Sequence, residues 1–219
     1  METPSGARLR DDLARYYDQD AVARAARPLN AERVQRRDAF TATVQAEGAG
    51  RVLEVGLGPG VDALAFLEAG LDIVGVDLSA EHVRLARAAG IEAQVAAAHE
   101  LPFEDRTFDA LWCASVLMHL PDPDLAAALG EFARVLRPGS LAAFGMWGGD
   151  GTQGPNPNDT LVPPRFFAWR TDDAIQAAIR VHASIEEFDT WSVPATSGPD
   201  FHYQWCVARF GAGGSRDEQ

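Results

Sequence analysis

The passage from residue 51 to residue 70 restricts this chain more than any other. A short β-rich apolar run, 51–55, leads straight into Gly56-Leu57-Gly58-Pro59-Gly60, and a helical run over 61–69 follows until Gly70 stops it. Glycine lets the backbone turn tightly and approach a ligand closely. The helix that follows presents unpaired N–H groups and a partial positive charge. A strand that turns on glycines into a helix is the opening unit of an α/β fold.

The unit repeats. Residues 71–76 are apolar in character but for Asp72, as a strand covered on both faces should be. Ser79 suits the N-cap of a helix that runs to Gly90. Residues 91–96, 108–113 and 141–146 add three more strands. Before the last of these, Asp122 caps a helix with Pro123 at its first position. That helix keeps Leu125, Leu129, Phe132 and Leu136 on one face, places Arg137 at its negative end, and stops at Pro138-Gly139. A helix over 171–180 and strands over 184–191 and 201–210 complete the pattern. Alternating strands and helices predict a mainly parallel sheet with helices on both faces. Ligands of such sheets bind beyond the carboxyl ends of the strands.

Two segments stand apart. Leu9, Leu13 and Tyr16/Tyr17 recur at helical spacing, and a second helix follows Asn30 with Val34, Phe40 and Val44; Pro28 separates the two. Residues 1–48 are therefore expected to form a helical cap on a domain of residues 49–211, with a disordered tail at 212–219. Residues 147–170 are rich in Gly, Pro and Asn, yet carry Trp147, Phe166, Phe167 and Trp169. A long irregular stretch of this kind is usually functional or mobile.

Composition removes several alternatives. With 219 residues and 47% hydrophobic content, the chain supports one well-buried core. A net charge of −13 disfavours a nucleic-acid partner. All 19 basic residues are arginines, so no lysine is present for a Schiff base or a Walker A phosphate contact. Cys113 and Cys206 lie too far apart in sequence for a C-x-x-C pair and sit in apolar runs, where free cysteine behaves as a small hydrophobe. The amino terminus lacks an apolar core and no run of eighteen apolar residues occurs, so neither a secretion signal nor a membrane span is expected, and the location expected is cytoplasmic. No metal site and no particular oligomeric state is indicated.

The chemistry gathers on a few motifs. Glu54 precedes Gly56-x-Gly58-x-Gly60, whereas a dinucleotide site wants G-x-G-x-x-G. Asp77 ends the second strand, where a carboxylate accepts from both ribose hydroxyls of a nucleoside. Residues 96–103 read AAAHELPF and lead to Phe108-Asp109; residues 112–122 follow the fourth strand; residues 131–139 read EFARVLRPG. In this order and spacing, over residues 51–146, the chain resembles the class I S-adenosylmethionine-dependent methyltransferases. The branch it is most similar to holds the ubiquinone-biosynthesis and small-molecule enzymes.

The resemblance implies a single Rossmann-like α/β domain with a seven-stranded, mainly parallel sheet and an antiparallel last strand. It implies S-adenosylmethionine as cofactor and a small-molecule acceptor. Glu54, Gly56, Gly58 and Gly60 would form the cofactor turn. Asp77 would hold the ribose and Leu78 would pack on adenine. Ala98 would offer its backbone N–H to the ring. Ala97 stands where the family carries Asp, and adjacent His99 is the candidate to replace part of that contact. Cys113 begins the segment that passes the methionine end. His119 is the candidate general base, with a loop-anchoring histidine as the competing role. A tyrosine near the amino terminus closes over the cofactor in the family; Tyr16 is expected there and Tyr17 toward the acceptor, although the sequence does not choose between them. Trp147, Phe166 and Trp169 would wall the acceptor, with one of Phe166 and Phe167 filling core instead. His82 and His202 carry less weight, since His82 is expected on a helix outside the sheet. Two other readings compete: a nicotinamide-dependent Rossmann oxidoreductase, and a methyltransferase-like binding protein without catalysis, which Ala97 favours.

Overall fold

Strand β1 (Arg51–Val55) lies in the interior of the sheet in a computed structural model that describes residues 6–192 and 201–211. It pairs in parallel with β2 (Asp72–Asp77) on one side and β4 (Phe108–Ala114) on the other. The alternation of Val52 and Glu54 with Leu53 and Val55 sends neighbouring side chains to opposite faces. Both faces are covered, which is why Val52, Leu53 and Val55 are all apolar and Glu54 is buried among them. Outward from β1, β2 pairs with β3 (Glu92–Val95), and β4 pairs with β5 (Leu136–Gly148). Beyond β5 come β9 (His202–Phe210), antiparallel, and then β8 (Ala183–Trp191) at the edge. The order is β3-β2-β1-β4-β5-β9-β8, a seven-stranded, mainly parallel sheet whose last strand in sequence runs antiparallel, as the resemblance implied.

Two apolar layers hold helices to this sheet. On one face, α2 (Ala31–Ala46), α3 (Val61–Glu68) and α4 (Ala80–Ala88) pack through Phe40, Val44, Phe66, Val83 and Ala86 against Val52, Ile73 and Trp112. On the other, α5 (Asp122–Val135) and α6 (Asp172–Arg180) bury Leu125, Leu129, Phe132, Ile175 and Ile179 against Leu53, Leu111 and Phe144. The helix α2 is thus part of the main core, while α1 (Gly6–Ala25) reaches over the carboxyl ends of the strands. Cys113 and Cys206 are both free and buried. Each faces Phe144 from opposite sides, two strands apart. At about 4.8 Å per strand step their Cα atoms are too distant for a disulfide.

Three expectations need correction. The helix α5 ends at Val135 and β5 starts at Leu136, ahead of Pro138-Gly139. The residue before a proline is pushed to extended backbone, so Arg137 cannot continue the helix; it pairs with Asp109 instead. At the other end Pro121 is the N-cap and Asp122 already helical. The stretch 147–170 is not wholly irregular: β6 (Gln153–Pro155) and β7 (Phe166–Ala168) form an antiparallel ribbon. Residues 212–219 lie outside the described residues.

Candidate active site

The carboxyl ends of β1, β2 and β4 meet where the strand order reverses, and a cavity of about 280 Å³ opens there. That is the ligand position expected of such sheets, and its size suits small ligands. The three glycines of the turn all have positive φ, at 74°, 58° and 91°, but serve different ends. A Cβ on Gly56 would lie 2.1 Å from Val116 Cγ2, so this glycine permits close packing of the β1 and β4 loops. A Cβ on Gly60 would lie 2.2 Å from Ile91 Cδ1; Gly60 caps α3 and is not in the cavity wall. Gly58 is in the wall, and a Cβ there would meet no protein atom within 4 Å. Its bare backbone therefore forms an open cradle.

Asp77 faces this cradle. Its Oδ2 accepts from the Gly58 N–H at 2.9 Å, and its Oδ1 accepts from the Ser79 N–H at 2.8 Å and from His82 Nδ1 at 3.3 Å. A carboxylate offers about four acceptor positions, so Oδ2 keeps room for a hydroxyl. Because a carboxylate only accepts, His82 Nδ1 carries the proton, and its buried Nε2 lone pair has no protein partner. His82 is buried in the cavity wall. The helix α4 packs on a face of the sheet as expected, but the low weight given to His82 does not hold, because its place in the first turn of α4 brings its ring to Asp77 at the end of β2. Ser79, which accepts from the His82 N–H, was the visible signal.

Leu78, Ala97, Ala98 and His99 form the adjoining wall. His99 Nδ1 is buried there without a hydrogen-bond partner. The loop is held from behind: Glu131 accepts from the Leu101 N–H at 2.8 Å, and Arg134 donates to the carbonyls of Leu101 and Phe103. The EFARVLRPG segment thus shapes the loop rather than touching the cavity.

Beneath the turn lies a buried ionic group. Asp62 accepts from Arg33 Nε and Nη2 at 2.8 and 2.6 Å and from Trp112 Nε1 at 3.2 Å. Arg33, from α2, also enters the cavity wall. Sequence reasoning missed it, because α2 carries several arginines and only the fold distinguishes them. Glu54 is buried beside this pair, outside the cavity wall, with Oε2 unpartnered. Burial, reinforced by the nearby Asp62, pushes its carboxyl well above the usual range despite Arg33.

On the far side, His119 is buried in the cavity wall. Its Nδ1 lies 2.9 Å from the Phe166 carbonyl, and its Nε2 lies 2.9 Å from the Tyr17 hydroxyl. A carbonyl only accepts, so Nδ1 bears the proton and Nε2 accepts from Tyr17. Burial pushes the imidazole down to about 3, opposed in part by the Phe166 bond and aided by Arg165 and Arg24. Both ring nitrogens are engaged, so a proton from an acceptor reaches His119 only through Tyr17; direct general-base contact is not what this geometry offers.

Of the two tyrosines, Tyr17 lines the cavity and Tyr16 does not. Arg165, fixed by Asp159 at 2.6 Å, covers the Tyr16 ring at 4.6 Å. Cys113 is core, one residue short of the wall formed by Ala114, Ser115 and Val116. Trp147 packs on Tyr203, and Trp169 stacks on Phe167 at 5.2 Å; neither lines the cavity. Phe167 is the core-filling member of its pair, 4.5 Å from His119 ring to ring, and Phe166 contributes its carbonyl rather than its ring. Phe167, on β7, and Trp169 just after it pack behind the wall, whereas Trp147 belongs to β5. His202 bonds Asp172 far from the cavity. Among the described residues no cluster has the makings of a metal site, and no helix is long and apolar enough to cross a membrane.

A parallel sheet with this strand order, a glycine turn after β1 and an acid at the end of β2 define a nucleoside-binding α/β domain. The profile of the family described as "Methyltransferase domain" matches residues 52–139 of this chain. The ubiquinone biosynthesis O-methyltransferase of Xanthomonas oryzae pv. oryzae (strain PXO99A) is 34% identical over 132 residues, covering 57% of this chain and 53% of that protein. The chain thus spans about half the length of the curated relatives it matches. Among solved structures, the Burkholderia thailandensis 1,6-didemethyltoxoflavin-N1-methyltransferase, with bound 1,6-didemethyltoxoflavin and S-adenosylhomocysteine, superposes with a TM-score of 0.72 at 20% identity, over 96% of this chain and 92% of that one. The [4+2]-cyclase SpnF superposes with a TM-score of 0.62 at 21% identity, over 80% and 81%. At these identities the structures speak for the fold, which serves more than one chemistry.

Proposed function

We propose that this chain binds S-adenosylmethionine in the described cavity and transfers its methyl group to a small-molecule acceptor. The observation that carries this reading is the Gly58–Asp77 pair: a bare backbone cradle hydrogen-bonded to a carboxylate that still has acceptor capacity. Asp77 would take the ribose hydroxyls, with the His82 Nε2 lone pair beside it. Leu78 and the Ala98 N–H would hold adenine, and the orphaned His99 Nδ1 would meet the ring's edge where Ala97 supplies no carboxylate. Arg33, already oriented by Asp62, would face the cofactor's carboxylate beside the start of α3.

When bound, the cofactor supplies a methyl carbon on a sulfonium: the acceptor's electron pair forms the new bond, the C–S pair returns to sulfur, and the acceptor's proton leaves to water. The protein's part is alignment and exclusion of water. Tyr17, its own proton committed to His119, presents oxygen lone-pair density that orients an acceptor O–H or N–H. His119 fixes Tyr17 and β7 and stays neutral.

The test is calorimetric titration with S-adenosylmethionine and S-adenosylhomocysteine. Binding near the micromolar range, weakened about tenfold or more by Asp77→Ala, is expected. Folded protein that binds neither ligand, or an Asp77→Ala variant that binds as well as the parent, would overturn the reading. Binding without transfer to any acceptor would leave a cofactor-binding protein that has lost catalysis.

A further inference from the structure

Resting on the methyltransferase reading, the substrate half of the cavity has a chemistry of its own. It is built mainly from one face of α1 and the link to α2, with Leu9, Leu13 and Leu29 supplying an apolar surface, Arg24 beside Tyr17, and Arg27 also in the wall. The chain carries a net charge of −13, yet here two guanidiniums share one carboxylate. Arg27 reaches Asp20 at 2.6 Å, while Arg24 stands 4.0 Å from the same side chain. Arg24 makes no side-chain hydrogen bond among the described residues; its guanidinium lies over the Tyr17 ring at 5.2 Å. A guanidinium offers five donors in a planar fork suited to a carboxylate. The excess positive charge is also felt at His119, whose protonated form Arg24 and Arg165 disfavour.

We propose that the acceptor is a small organic acid, its negative group held between Arg24 and Arg27 while its methyl-accepting O–H or N–H donates to the Tyr17 oxygen. Arg33 is occupied with Asp62 and Arg10 with Asp124, whereas Arg24 and Arg27 have only the one carboxylate of Asp20 between them, so donors of this pair remain for the second ligand. Leu9 and Leu13 cover the body of the acid.

The test uses protein loaded with S-adenosylhomocysteine and matched pairs that differ only in charge: 4-hydroxybenzoate against 4-hydroxybenzamide, and salicylate against salicylamide, titrated calorimetrically. At least one acid is expected to bind about tenfold or more tighter than its amide. Arg24→Gln and Arg27→Gln should each erase most of that preference while S-adenosylhomocysteine affinity holds, and Arg24→Lys should restore part of it. Equal binding of acid and amide, no acid binding at millimolar concentration, or a preference that survives both glutamine substitutions together would overturn the proposal. Failure of S-adenosylhomocysteine to bind at all strikes the parent reading instead, and the same pairs titrated without it then decide on the anion site alone.

Discussion

The hydroxyl of Tyr17 and Nε2 of His119 lie 2.9 Å apart across the cavity wall, and the Phe166 carbonyl on the other ring nitrogen dictates which of them donates. One tautomer satisfies both contacts. Tyr17→Phe should therefore leave a buried acceptor unpaired and cost about 1–3 kcal/mol of stability. Chemical denaturation measures that loss. Affinity for S-adenosylhomocysteine should stay close to the parent's while methyl transfer falls about tenfold or more; equal losses in both would remove Tyr17 from acceptor orientation.

The low pKa of His119, about 3, makes stability depend on pH with a definite sign. Unfolded, the imidazole takes up a proton near pH 6.5, and folded it refuses one until about pH 3. The stability it contributes is complete above the unfolded value and is lost as pH falls, at up to about 1.4 kcal/mol per pH unit. His119→Gln should flatten the unfolding free energy between about pH 6 and pH 4. No His119 titration should appear near neutrality in the pH–rate profile.

Glu54 works in the opposite direction, since its folded carboxyl is raised by burial and by Asp62. Its favourable contribution is present below the ordinary carboxylate range and disappears as pH rises. Glu54→Gln should accordingly be more stable than the parent at pH near 8, with the advantage gone by about pH 4. Paired denaturation curves at the two pH values decide it; an advantage that grows on acidification would reverse the assignment.

Two glycines of the same turn should fail differently. Gly58→Ala puts a methyl into open cavity at a backbone φ of 58°, with strain of about 1–2 kcal/mol. Its main effect should be on cofactor affinity. Gly60→Ala drives a methyl against Ile91 at φ of 91°, so melting temperature should fall while the folded fraction binds nearly normally. Titration and thermal melts on both variants separate the two effects.

Much of the sheet was legible because its central strands are buried on both faces, which leaves largely apolar runs between glycine and helix signals, with Glu54, Asp72 and Asp109 as the exceptions. The ribbon β6–β7 was not, since Gly154 and Pro155 within it read as turn residues. The end of α5 was misplaced by reading Pro138-Gly139 as the stop, when the constraint of Pro138 on Arg137 acts earlier. In the cavity, Gly58, Asp77, Leu78, Ala98 and His99 all came from local motifs and all stand in the wall. Arg24, Arg27 and Arg33 carry no such motif. Their places depend on how α1 and α2 fold back over the sheet, which helical period does not report.

Asp18 belongs to two helices at once. From α1 its carboxylate accepts from the Ser79 hydroxyl at 2.6 Å and from the Glu81 N–H at 3.1 Å, at the very start of α4. Raising α1 away from the strand ends would leave the Glu81 N–H without this acceptor, at a cost of about 0.5–2 kcal/mol, in the first turn of the helix whose N-cap, Ser79, follows Asp77 by two residues. The ceiling over the acceptor and the floor under the nucleoside are thus latched by a single side chain. Entry and exit of either ligand must contend with the same latch.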